Sequence, residues 1–223
     1  MQQSSRTRPV SAAQIDVFKS ELVRGAHFSP VYEFPLLKAV NFKPSQALPF
    51  EKASGATNCK QWVHFYTHDY QFERVWNSPA RYLPILRRFE GVITPDFSLY
   101  REMPLAMQIW NTYRNRALAF WLQREGVSIV PNIRWGDERT YEFAFEGLPT
   151  GGTVAVSAHG TLRNKVNRGY FKAGLARMVE RLQPQTIITY SQTPNDIFGE
   201  YKEQDLEVIE IPYHVVALRK EAA

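Results

Sequence analysis

Carboxylates and a histidine follow several apolar runs of the chain, and these are the side chains that could do chemistry. Asp96 comes directly after "GVITP", and Asp137 with Glu138 comes after "VSIVPNIRWG". His159 follows "TVAVSA" in the same way. Carboxylates and imidazoles donate and accept protons in catalysis. The candidate catalytic residues are therefore Asp96, Asp137, Glu138 and His159.

Oxygen-rich side chains of this kind also suit Mg²⁺ or Mn²⁺, so a divalent metal is a candidate cofactor. No short-range ligand spacing in the chain identifies such a site, and the sequence leaves the metal open. Each residue has a simpler interpretation as well. Asp96, after Pro95, could turn the chain by bonding a nearby backbone N–H, Asp137 could cap a helix, and His159 could be hydrogen-bonded within its own turn.

Basic, amide and aromatic side chains follow the same apolar runs and could bind a substrate. A small-residue turn at 158–160 precedes a predicted helix rich in Lys and Arg, and backbone N–H groups, helix dipole and cations would there favour phosphate. The segment matches neither GxxxxGK[ST] nor GxGxxG, and a solvated basic helix face is the alternative. The candidate substrate-binding residues are Asn132, Arg134, Trp135, Arg139, Arg163 and Tyr190.

The elements that would position these residues recur regularly from Gln61 onward. Short apolar runs such as "WVHFY", "GVIT", "TVAVS" and "TIITY" alternate with helical patterns. This rhythm predicts an α/β fold with a mostly parallel sheet of about six strands and helices on both faces. Either an open doubly wound sheet or an incomplete β/α barrel fits. In both, ligand sites lie at the carboxyl ends of the strands.

Two helices are clear from their periodicity and end signals. One runs from about Pro104 to Gly126, and the other from about Lys165 to Leu182. Asn111 and Arg114 lie three residues apart on the first helix, so they share one face. We predict that they support the Asp96 loop structurally, as members of a buried polar network, and a role in ligand binding is compatible with that.

The first 60 residues look different from the rest. Residues 1 to about 12 predict a mobile tail, "AAQIDVFKSELVR" a short amphipathic helix, and the proline-punctuated stretch to residue 60 an irregular arm. Residues 61–223 then form a single α/β domain. The lone Cys59 lies in the arm and excludes an internal disulfide framework.

Composition limits the class of protein. The 223 residues carry 27 Lys and Arg against 22 Asp and Glu, a formal net charge of +5, which favours polyanionic partners weakly. No apolar run reaches the length of a membrane span, and the start lacks a signal-peptide pattern. We expect a cytoplasmic protein with no membrane partner.

Four motifs carry a resemblance to a known family. They are Pro-Asp-Phe at 95–97, Asn-x-x-Arg at 111–114, Pro-Asn-x-x-Trp at 131–135 and a small-residue His-Gly turn at 159–160. Over residues 60–215 the chain resembles a family of uncharacterised bacterial and phage proteins, a domain of unknown function frequent on prophages, plasmids and other mobile elements. The family's Tyr-Gly turn in the fifth segment is Tyr190–Ser191 here. The resemblance implies a mobile-element context and no established reaction.

Three functions are consistent with these patterns. The first is an enzyme that acts on a phosphate-bearing substrate, a nucleotide or nucleic acid. The second is a non-catalytic module that binds nucleic acid or a host or phage protein through its basic N-terminal arm and the basic helix from Arg163 to Lys172. The third is a sensor that binds a small molecule without converting it.

Overall fold

The fold is known from a computed structural model that describes residue 16 and residues 18–158, 161–190 and 192–212. The tail predicted for residues 1 to about 12 and the candidate His159 lie outside these ranges. Of the predicted N-terminal helix, the described part contains the 3₁₀ helix Ser20–Val23. Among the described helices, none is long and apolar enough to cross a lipid bilayer.

The described residues contain seven strands, each two to four residues long. In chain order they are β1 (Ala47–Pro49), β2 (Trp62–His64), β3 (Gly91–Ile93), β4 (Ile129–Val130), β5 (Thr153–Val156), β6 (Thr186–Thr189) and β7 (Glu207–Glu210).

Seven α-helices and two 3₁₀ helices accompany the strands in this part of the chain. The α-helices are α1 (Phe50–Ala53), α2 (Asp69–Asn77), α3 (Pro79–Leu86), α4 (Leu105–Arg124), α5 (Tyr141–Ala144), α6 (Lys165–Leu182) and α7 (Asn195–Glu203), and the second 3₁₀ helix is Glu138–Thr140.

The two long helices begin and end where local chemistry requires. Pro104 precedes α4 and has no N–H that a first turn would leave unbonded. The Asn164 side chain caps α6 by accepting hydrogen bonds from two backbone N–H groups of its first turn. Gly126, after α4, has a φ of +77°, which glycine adopts without strain. Both helices lie within a residue or two of the predicted bounds.

All strand pairings are parallel and follow chain order. One sheet has the order β1-β2-β3-β4 and the other β5-β6-β7. A parallel bridge between Asn132 and Ala155 joins them, with Ile133 N–H donating to Ala155 O at 2.8 Å. Among the described strands the order never reverses, as it would in a doubly wound sheet.

The two faces of the strands bury different cores. Val63 and Val92 face the helices in one outer core, and Val154 and Ile187 face them in another. The alternate residues of the strands instead contact one another in an inner core, made of Ala47, Trp62, Tyr66, Ile93, Val130, Ala155, Ile188, Tyr190 and Ile211. Strands that curl around their own side chains, with helices outside, form an incomplete β/α barrel. This is one of the two predicted architectures.

The strand count differs from the prediction of about six. The additional strand, β1, lies within the stretch predicted as an irregular arm. Three residues, the last of them a proline, show no periodicity, so β1 is defined by its pairing with β2 and not by its own sequence. Lys43, just before β1, forms an ion pair with Glu207 of β7 at 2.6 Å. This contact brings the first strand of one sheet close to the last strand of the other.

Gly91 is the position where the inner core leaves no room for a side chain. A Cβ at Gly91 would lie 2.5 Å from the Trp62 ring and 2.7 Å from the Ser128 carbonyl oxygen. We expect Gly91→Ala to lower the free energy of unfolding by about 1–3 kcal/mol, since the overpacked ring or backbone must move. Urea unfolding followed by circular dichroism measures this.

Gly169 provides the matched control, because nothing lies within 4 Å of a Cβ at this position of α6. Gly169→Ala should raise the free energy of unfolding by about 0.5–1 kcal/mol through helix propensity alone. Equal effects of the two substitutions would contradict the packing argument.

Candidate functional site

A pocket of about 410 Å³ opens at the carboxyl ends of the strands, where both predicted architectures place ligand sites. Its walls come from the segments after β2, β3, β4 and β5 and from the first turns of α6. The lining residues are 66–68, 96, 98–102, 133–136, 157 and 161, with Asn167, Tyr170 and Phe171 from α6.

Asp96 lies on the wall of this pocket and is 7% exposed. One carboxylate oxygen, Oδ2, accepts a hydrogen bond from Arg134 at 2.7 Å, and the other, Oδ1, accepts one from the Asn132 side-chain amide at 2.8 Å. Burial raises the pKa of Asp96 above its usual value, while Arg134 and Asn132 oppose that rise. Asp96 therefore anchors the segment after β4 and also faces the pocket.

Asp69 and Asn111 fix the loop that follows Asp96. Asp69, the first residue of α2, accepts hydrogen bonds from the Ser98 backbone N–H at 3.0 Å and the Ser98 hydroxyl at 2.8 Å. The Asn111 amide donates to the Ser98 carbonyl oxygen at 2.7 Å. The loop is thus held from α2 and α4 together.

Arg114 holds the same loop through its neighbours. It donates to Asn111 Oδ1 at 2.6 Å and to both carboxylate oxygens of Glu73, at 2.7 and 2.8 Å. Its guanidinium lies 4.0 Å from the centre of the Phe97 ring. The structure thus places the predicted pair Asn111 and Arg114 against the residues next to Asp96, and not against Asp96 itself.

Asn115 and Arg116 extend the polar network beneath the site. The Asn115 amide donates to the carbonyl oxygen of Pro95, the residue before Asp96. Arg116, 2% exposed, donates to Asn115 Oδ1 at 2.7 Å and to the carbonyl oxygens of Glu146 and Ala144. Burial lowers the pKa of Arg116 to about 9. The arginine orients Asn115 and ties the end of α5 to α4.

A stack of rings forms the floor of the pocket. Tyr66 and Tyr190 stack at 5.1 Å between ring centres, and His64 lies 4.1 Å from Tyr190. The Tyr66 hydroxyl donates to Asn132 Oδ1 at 3.0 Å. Tyr190, a candidate substrate-binding residue, is therefore packed in the inner core, beneath a tyrosine that does line the pocket.

The candidates Asp137, Glu138 and Arg139 lie beside the pocket and are not among its lining residues. Asp137 caps the 3₁₀ helix by accepting from the Arg139 backbone N–H, and its carboxylate also pairs with the Arg139 guanidinium at 2.8 Å. This pair lowers the pKa of Asp137. Glu138 is exposed. The contacts of Asp137 are those of a helix cap, as its simpler interpretation predicted.

Trp135 packs against α6 and lines the pocket only in part. Its indole N–H donates to the Tyr170 carbonyl oxygen at 3.3 Å. A Cβ at Gly174 would lie within 2.5 Å of the indole, so the helix can approach the ring because residue 174 is a glycine. The indole thus fixes α6 over the pocket.

The start of α6 offers few free groups for an anion. The Asn164 side chain occupies two of the backbone N–H groups. Arg168 pairs with the Asp196 carboxylate and Lys172 donates to the Asp196 carbonyl oxygen, at 2.9 Å. Arg163 is exposed. A phosphate role for Arg163 stays a prediction.

Within residues 16, 18–158, 161–190 and 192–212, no group of three or more His, Cys, Asp or Glu side chains could hold a metal ion. Asp69 and Asp96 both border the loop after β3, but their oxygens accept hydrogen bonds from protein groups. His159 lies outside the described residues. A role for Mg²⁺ or Mn²⁺ stays a prediction.

Several residues of the site were missed by sequence reasoning. Tyr66 and Arg101 follow the same strand ends as the predicted residues, so the rule used for Asp96 could have found them. Asn115 and Arg116 lie mid-helix in "NTYRNRALAF", and their signal is the polar run 111–116 in the middle of α4. Asn167 and Tyr170 gave no signal, because only the packing of α6 brings them to the pocket.

Arg116 is expected to support stability more than any exposed arginine. Arg116→Leu removes three donors, and the Asn115 side-chain oxygen and the carbonyl oxygens of Glu146 and Ala144 lose the hydrogen bonds that Arg116 donates. The free energy of unfolding should therefore fall by about 3 kcal/mol or more. Chemical denaturation measures the loss. Arg177→Leu is the control, since Arg177 pairs with Glu180 on the surface of α6 and should change the midpoint little.

Comparison with known proteins agrees with the motif resemblance. The chain is 38% identical over 168 residues to the Gene 1 protein of Mycobacterium phage L5, which covers 74% of this chain and 73% of that protein. It is 36% identical over 168 residues to the Gene 1 protein of Mycobacterium phage D29, of whose length it spans 62%. No solved structure matches the chain. A family model described as a domain of unknown function (DUF4417) matches residues 26–212, so the chain belongs to that family.

Proposed function

We propose that the protein is an enzyme that acts on a small phosphate-bearing substrate, of about nucleotide size, in the pocket at the strand carboxyl ends. The observation that carries the proposal is the buried Asp96–Arg134 pair on the wall of a pocket of about 410 Å³. A carboxylate withdrawn from water is costly unless it is paired, and such groups are concentrated at functional sites. The pocket volume is within the range of small-molecule sites.

Asp96 is the proposed acid–base group. Its burial raises the pKa of the carboxyl toward the range in which a group exchanges protons readily. Each carboxylate oxygen accepts one protein hydrogen bond and keeps capacity for another. A substrate hydroxyl or amine in the pocket could therefore transfer a proton to Asp96 while Asn132 and Arg134 hold the carboxylate in place.

Arg101 is the proposed phosphate-binding group. It lines the pocket, donates to Asn167 Oδ1 at 3.0 Å, and its guanidinium lies 4.5 Å from the centre of the Tyr170 ring. Its distance to the Glu102 carboxylate is 4.0 Å, at the limit of an ion pair, so its charge is less neutralised than that of Arg134. Ser157 and Thr161 also line the pocket.

A ligand screen tests the pocket and the role of Asp96 together. Nucleotides and sugar phosphates, with and without Mg²⁺ or Mn²⁺, are added to the wild type, and the melting temperature is followed. A ligand at 100 times its Kd should raise the melting temperature by about 5 °C or more. Each stabilising compound is then incubated with the protein, and product is measured by phosphorus NMR and mass spectrometry.

Asp96→Asn should keep the thermal shift and lower turnover about 100- to 10,000-fold, the usual effect of losing a general acid–base group. Asp196→Asn is the control, because Asp196 is exposed and pairs with Arg168 outside the pocket. If no compound stabilises the wild type, the pocket is not a phosphate-ligand site. A shift without product would contradict the enzyme and favour the sensor.

Arg101→Ala should weaken binding of the same phosphate compound about tenfold, since a charge-assisted contact is lost. Isothermal titration calorimetry measures the change, and raising the salt concentration should weaken the wild type more than the variant. Arg177→Ala, on the outer surface of α6, should bind as the wild type does. An unchanged Kd for Arg101→Ala would remove Arg101 from the site.

A further inference from the structure

The Tyr66 hydroxyl is a buried polar group to which the proposed reaction assigns no task. It lies at the floor of the pocket, and the part of the chain that the structure describes gives it Asn132 Oδ1 as hydrogen-bond acceptor, at 3.0 Å. The same amide donates from Nδ2 to Asp96 Oδ1 at 2.8 Å. Asn132 is 1% exposed and therefore connects the tyrosine to the carboxylate away from water.

The two hydrogen bonds of Asn132 depend on one orientation of its amide. An ionised carboxylate only accepts hydrogen bonds, so the N–H side of the amide must face Asp96 and the carbonyl side must face Tyr66. If the amide were rotated, its oxygen would face the Asp96 carboxylate oxygen, and two hydrogen-bond acceptors would then face each other. It would also leave the buried Tyr66 proton without its acceptor, which is unfavourable.

The backbone of Asn132 is fixed independently of its side chain. Its N–H donates to the Thr94 hydroxyl at 2.8 Å, and residue 132 bridges to Ala155 across the two sheets. The amide can therefore change by rotating about its own side-chain bond while the main chain stays in place. Tyr66 is the group that resists that rotation from the side opposite Asp96.

We propose that Tyr66 is a positioning residue that holds the Asn132 amide in the orientation that keeps Asp96 ionised and ready to accept a proton. The proposal rests on the proposed acid–base role of Asp96 and names what prepares that residue. Tyr66 does not exchange the proton itself, because burial raises its own pKa well above the usual value.

Other charges act on Asp96 and set the background for this effect. Arg134, after β4, favours the ionised carboxylate at 2.7 Å, whereas the negative charge of Asp69 on α2 disfavours it. Tyr100, in the loop after β3, acts on Arg134. None of these groups depends on the Tyr66 hydroxyl, so removing that hydroxyl changes the hydrogen bond from Asn132 and leaves them in place.

Titration of the ligand-free protein tests the proposal. The pKa of Asp96 is followed by the ¹³Cγ chemical shift of labelled aspartate, and its signal is identified by its absence in Asp96→Asn. In Tyr66→Phe the amide is free to rotate, the hydrogen bond to the ionised carboxylate weakens, and the pKa of Asp96 should rise by about half a unit to one unit. Circular dichroism verifies the fold of each variant.

Two further variants separate this role from a general loss of packing. Tyr201→Phe removes the hydroxyl of another buried tyrosine, which lies on α7 in the outer core, and should leave the pKa of Asp96 unchanged. Asn132→Ala removes the donor itself and should raise the pKa of Asp96 at least as far as Tyr66→Phe. In the Asn132→Ala background, Tyr66→Phe should add nothing, since it acts through the amide.

An unmoved Asp96 pKa in Tyr66→Phe, or an added rise in the double variant, would overturn the proposal. If Tyr66→Phe does not fold, an unmoved pKa in Asn132→Ala alone would overturn it. The titration uses no ligand, so its failure removes the role of Tyr66 only. A negative ligand screen would remove the proposed enzyme and leave the Asn132 orientation standing.

Discussion

The burial of the Asp96 carboxylate is the constraint on which the rest of the site depends. A carboxylate this far from water must be paired and hydrogen-bonded, and here the partners come from the segment after the neighbouring strand, Asn132 and Arg134. Their contacts join the ends of β3 and β4, and the bridge from Asn132 to Ala155 carries the same connection to β5. One buried charge thus links both sheets at the edge where the pocket opens.

Helix α4 shows what supporting such a residue requires. Its buried residues include Asn111, Arg114, Asn115 and Arg116. Asn111, Asn115 and Arg116 donate to backbone carbonyl oxygens of the segments around the helix, and Arg114 bonds to Glu73 on α2 and to Asn111. An ordinary surface helix buries apolar residues and exposes polar ones. In α4 the polar groups are inside because loops, and not only strands, pack against it, and loops present carbonyl oxygens and N–H groups that need partners.

The sequence was informative where the signal is local. The bounds of α6 follow from its periodicity and end signals, and Asp96 could be placed at a strand end from its position alone. The choice between sheet and barrel could not be made, because it depends on which strands are neighbours. The strand β1 and the roles of Asn115 and Arg116 were missed for the same reason, since each is defined by groups distant in sequence.

The contacts that fix the two sides of the pocket differ in burial and strength. This difference matters for how a ligand would enter the pocket. The side at β3 and β4 is fixed by buried polar contacts from α2, α4 and the inner core. The opposite side is closed by Arg101, which reaches from the loop after β3 to Asn167 and the Tyr170 ring on α6. Those contacts are partly exposed and weaker, so a ligand phosphate could replace them without disturbing Asp96. In the proposed reaction, the fixed Asp96 would serve proton transfer, and the replaceable Arg101 would serve phosphate binding from another part of the same pocket lining.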